Sequence, residues 1–161
     1  MKKLLLVFAV AVFTLGSCNN AGKETEVKSS LQEQADSLEK QVDEEHVVAM
    51  RKYMTIPGQQ KEINRLIDSI DKLPAKAKEV AAPYKMKLQS LNRELENAYN
   101  SMENWMEKFG TRFQELNQDS MKDSLNQRIK FFTEEKLKIG KVKEAVLGSM
   151  QKADSLLKAK F

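Results

Sequence analysis

The sequence holds one cysteine, one histidine and one tryptophan in 161 residues, with only three prolines and six glycines. A single thiol excludes an internal disulfide, so the fold has to be held by packing. Scarce proline and glycine leave few places where the chain can turn. No alternation of apolar and polar residues persists beyond a few positions, which argues against strands. There is no glycine-rich phosphate loop, and no serine sits in the strand–turn–helix setting of a hydrolase nucleophile. Carboxylates are plentiful, but they alternate with basic residues along what read as solvated helix faces. No residue is singled out as catalytic, and the expectation is a protein that is not an enzyme.

What is present begins at the N-terminus. Lys2 and Lys3 precede an apolar run from Leu4 to Leu15, too short to span a bilayer permanently. Leu15-Gly16-Ser17-Cys18 then looks like a bacterial lipobox. That resemblance implies a signal peptide over residues 1–17, lipid attachment at Cys18, and anchoring through two or more acyl chains, since one chain binds only marginally. Lys2 and Lys3 supply two of the net four positive charges, so the remaining chain is close to balanced. It carries no electrostatic footprint for nucleic acid. Residues 18–30 contain one strongly apolar residue, Val27, and read as a lipid-anchored, flexible tether. Asn19 follows the cysteine where an inner-membrane signal has Asp, and the acidic pair Glu24 and Glu26 is offset by Lys23. The expected location is the outer membrane, on its periplasmic face rather than the cell surface.

Residues 31–161 read as an all-α, elongated antiparallel three-helix bundle of coiled-coil character. The first helix, about 31–73, carries Leu31, Ala35, Leu38, Val42, His46, Ala49 and Tyr53 on one stripe, then Ile63, Leu66, Ile67, Ile70 and Leu73. Ile56-Pro57-Gly58 breaks it, because proline lacks a donor and clashes with the turn before it. The second, 75–109, has a seam spaced four and three throughout: Ala77, Ala81, Tyr84, Leu88, Leu91, Leu95, Ala98, Met102, Trp105 and Phe109. A kink is expected near Glu79, ahead of Pro83, with Gly110 as C-terminal cap. Residues 111–118 would connect to the third helix, 120–160, whose stripe is Met121, Leu125, Ile129, Phe132, Ile139, Val142, Val146, Met150, Ala153 and Leu157. Lys136 falls on that seam, its stem buried and its ammonium at the surface.

Several strings, among them Lys72-Leu73-Pro74-Ala75-Lys76, Ala82-Pro83-Tyr84, Met102-Glu103-Asn104-Trp105-Met106 and the run Glu135 to Ser149, resemble small Bacteroidota lipoproteins labelled "viral A-type inclusion protein". The resemblance covers most of the chain after the tether. It implies a lipid-anchored helical protein and no particular chemistry. Its members often carry a His, two acidic residues, a variable residue and a Met in the first helix. Here His46 and Met50 match, whereas Val47 and Val48 replace the acidic pair.

The function expected is that of a structural or protein-interaction module in the cell envelope, bound to membrane lipid through Cys18 and to an envelope protein or a second copy of itself. The alternative is a Cu(I)-type soft-metal site. An antiparallel turn at Pro74 brings His46 opposite Met102, with Met50 opposite Ala98 and with Trp105 and Met106 one turn away. A second turn near residue 114 brings Met121 to the level of Lys108. Thioethers with imidazole are a soft ligand set suited to Cu(I), and the Trp105 face can shield a bound cation. Packing explains the same residues, since Met fills gaps in helical cores. Zn²⁺ prefers Cys, His and carboxylate and finds one His here.

Overall fold

Apolar residues at intervals of three and four lay one stripe along each helix, and burying these stripes against one another builds the fold. The computed structural model describes residues 20–117 and 124–158, with side chains from residue 26 onward. Four α-helices follow in order: α1 (Asn20–Tyr53), α2 (Ile56–Asp71), α3 (Ala75–Leu116) and α4 (Leu125–Lys158). The described residues contain no strand. They form an all-α bundle of three arms, with α1 and α2 sharing the first. The 42 residues of α3 extend about 63 Å at 1.5 Å per residue, so the bundle is long and its core narrow.

The first arm divides where expected, just ahead of Pro57. α1 stops at Tyr53, Met54 and Thr55 form a turn, and Pro57 sits in the opening turn of α2, where its missing N–H costs nothing. The Thr55 hydroxyl donates to the Lys52 carbonyl at 2.7 Å and secures the turn. Ile56, expected inside the interruption, is instead fully buried and starts the α2 stripe that Ile63 and Ile70 continue at seven-residue spacing. The turn also changes the arm's neighbour: α1 packs chiefly on α4, and α2 chiefly on α3. Across the α1–α4 seam Arg128 donates to Glu39 at 2.6 Å and Lys143 pairs with Glu45.

Three expectations need correction. Residues 20–30, read as a tether, belong to α1. Ala21, Lys23, Glu24, Glu26 and Lys28 are adequate helix formers with no proline among them, although Val27 is exposed. Second, Gly110 caps nothing. α3 runs through it to Leu116, because Phe109, Phe113 and Leu116 extend the seam and are drawn into the core. Third, the α3 seam begins at Ala81 rather than Ala77, which is exposed with the rest of residues 71–80. α3 is continuous through Pro83.

Gly110 has ordinary helical backbone, and nothing lies within 4 Å of where a Cβ would sit. Gly110→Ala should therefore raise stability by about 0.5–1 kcal/mol in chemical denaturation. Destabilisation would show a left-handed cap at this position.

Candidate functional site

Trp105 occupies a seam position of α3 and is 6% exposed. A buried indole needs an acceptor for its N–H. Nε1 donates to Glu135 Oε2 on α4 at 3.0 Å. Glu135 is itself only 2% exposed, and a carboxylate so deep needs several donors. Its Oε1 accepts from Arg112 Nη1 and from Lys138 Nζ at 2.8 Å. Arg112 also donates to Glu134 Oε2 at 2.8 Å and lies over the Phe131 ring, 5.2 Å from its centroid. The hydrogen bond from Arg112 holds the Glu134 carboxyl below the usual carboxylate range. Both oxygens of Glu135 are engaged, which suits a structural carboxylate and not a general base.

This network was missed in the sequence, where Lys136 took the seam position. Lys136 is half-buried, whereas Glu135 is inside. Strict alternation of three and four from Phe132 leads to Glu135, Ile139, Val142 and Val146. The signal was present but pointed to a charged residue. Arg112, seven residues after Trp105 and on the same face, is the donor such a carboxylate requires.

Aromatic rings extend from the network in both directions. Trp105 stacks on Phe109 at 5.0 Å between centroids, Phe109 on Phe113 at 5.6 Å, and Phe113 meets Phe131 and Phe132. On the other side the His46 ring lies 5.3 Å from Trp105, tilted by 43°. His46 is half-buried, yet its Nε2 is shielded from solvent and has no hydrogen-bond partner. Further along, Tyr53 stacks on Tyr99 at 4.7 Å and donates to Glu103.

These contacts correct the register. The facing residues of α3 lie three to four positions further along than a turn at Pro74 predicts. The arms first bury side chains at Ile70 and Ala81, so the effective turn is wider and later than Pro74. His46 thus meets Trp105, and the same register puts His46 level with Met106 and Met50 level with Met102. Met102 is fully buried, while Met50 and Met106 are half-buried against the same core. At the second turn the continuation of α3 moves the pairing as well. The partner of Phe109 is Phe131, at 5.6 Å. Met121, expected beside Lys108, lies outside the described residues, as does Cys18. Val47 and Val48 are exposed on α1.

Among the described residues no three His, Cys, Asp or Glu side chains gather as a hard or borderline metal needs. No helix among them is long and apolar enough to cross a membrane. No family model, curated protein or solved structure matches the chain.

Arg112→Met keeps the aliphatic stem but leaves Glu135 with one cation. It should cost about 1–3 kcal/mol in urea denaturation. Adding Glu135→Gln, which still accepts from the indole, should recover part of that loss. Tyr53 offers a test by pH. Burial first, then the bond to Glu103, push its phenol far above the ordinary 10.0. The folded protein thus holds this proton to higher pH than the unfolded chain. The stabilisation is complete below pH 10.0 and is lost as pH rises beyond it. Stability above pH 10.0 should fall more gently in Tyr53→Phe than in the wild type.

Proposed function

We propose that the chain is a lipid-anchored envelope protein whose helical bundle serves as a structural or protein-interaction module. The lipobox-like Leu15-Gly16-Ser17-Cys18, the near balance of charge after it, and the resemblance to small lipoproteins support the anchoring and the outer-membrane location. The observation that carries the interaction role is a second apolar line along the end of α1 and the turn that follows it. Val42, Ala49 and Tyr53 face inward. Val47 and Met54 are seven residues apart and so share one outer line, with Val48 beside it, and all three are exposed, Met54 to 71%. Single exposed apolar residues need no explanation. A line of them on an otherwise charged helix, next to the turn where the arm changes neighbour, is the kind of surface a partner covers.

Two measurements test this reading. Cys18→Ser should abolish incorporation of an alkyne-tagged palmitate and move the protein from the membrane fraction to the soluble one; retained label would refute the anchor. A photo-crosslinker at Val47 in intact cells should give a discrete adduct with an envelope protein or with a second copy, lost when Val48→Asp and Met54→Asp are introduced. A protein that stays monomeric and uncrosslinked in both backgrounds would refute the interaction role.

A further inference from the structure

The geometry points to a binding site for a soft monovalent cation, copper(I) or silver(I), formed by His46 and Met50 of α1 with Met102 and Met106 of α3 beside Trp105. His46 and Met50 are one helical turn apart, as are Met102 and Met106, so each pair projects from one face of its helix. The His46–Trp105 contact and the Tyr53–Tyr99 stack fix the two helices in register. That register sets Met50 level with Met102, and His46 level with Met106. Met102 is part of the core that includes Trp105, and Met50 and Met106 pack against that core.

Three observations favour a ligand here over plain packing. The first is His46 Nε2, shielded from water and without a partner. A buried polar atom left unmatched costs stability, and a lone pair on Nε2 directed at a cation removes that cost. The second is the distribution of thioethers. Met102 is fully buried and Met50 and Met106 pack against the same core, whereas Met54 and Met86 are exposed and Met150 is buried on α4. The third is charge. Imidazole and thioether ligands are neutral, and the nearby Glu135 carboxylate is already answered by Arg112 and Lys138. The cost of burying an ion rises with the square of its charge, so a neutral, soft ligand set in a core selects a monovalent soft cation over Zn²⁺. Trp105 closes the site: its N–H is tied to Glu135, which fixes the plane of the ring next to the imidazole and offers a π face to the cation.

The sole tryptophan also makes the test direct. The full chain, purified in detergent, is titrated against copper(I) held as its bicinchoninate complex, with Trp105 emission followed in parallel. The wild type should withdraw a single equivalent of copper(I) and lose Trp105 emission at the same stoichiometry, with silver(I) giving the same quenching. Met50→Leu with Met102→Leu conserves core volume and should weaken withdrawal by about tenfold or more, as should His46→Gln. Met86→Leu should match the wild type. Far-ultraviolet circular dichroism establishes that each variant is folded, and the wild-type titration decides alone if a variant is not. Failure of the wild type to compete for copper(I), withdrawal without quenching of Trp105, undiminished withdrawal by a folded Met50→Leu/Met102→Leu protein, or equal quenching by Zn²⁺ would each overturn the assignment. The same titrations on Cys18→Ser, which lacks the chain's one thiol, separate this site from copper(I) taken by Cys18, so the two proposals stand or fall separately.

Discussion

A carboxylate that keeps only 2% of its surface in water sets terms for everything around it. Glu135 can remain charged inside the bundle only if donors reach it from two helices. Lys138 comes from its own helix, one turn on. Arg112 and the Trp105 N–H come from α3, and Arg112 exists as a helical residue only because α3 continues through Gly110. The length of α3, the orientation of its tryptophan and the register of α4 are thus settled together. With the indole fixed by its hydrogen bond, the ring that meets His46 is fixed as well. The imidazole, the methionines at its level and the aromatic column up to Phe132 all take their places from this one ion network.

The helices were legible because packing wrote them in a regular interval. Ala35, Val42, Ala49, Leu88, Leu95, Met102, Ile139 and Val146 were expected inside on spacing alone, and they are buried. What spacing misses are places where one residue type carries two opposed tendencies. Gly110 reads as a stop, yet the apolar residues beyond it gain more from burial than one glycine costs. Glu135 reads as surface, yet its neighbours can answer its charge. Register was less legible than composition, because it depends on where the arms first touch. Residues 71–80 are all exposed, and a turn drawn at Pro74 places every opposing residue too early. The shift re-pairs His46 and Met50 with Met102 and Met106, since each helix carries two of these residues one turn apart. A displacement of nearly one turn then exchanges one neighbour for another instead of removing it.

The two proposals use different residues of the first arm: His46 and Met50 are half-buried, whereas Val47, Val48 and Met54 are exposed. The exposed valines at 47 and 48 set what this part of the bundle shows to its surroundings.

The turn at Met54 and Thr55 has a consequence for the order of assembly. α2 and α3 adjoin in sequence, so their hairpin closes a short loop at little entropic cost and can form as soon as both have emerged. α1 is different. Its main partner, α4, is the last helix made, and the contacts between them join residues about ninety positions apart, as Arg128 and Glu39 do. A chain emerging N-terminus first therefore displays the inward stripe of α1 until α4 has emerged. The helix that appears earliest is the last to be covered, and during that interval its apolar face is the part of the protein most in need of a chaperone.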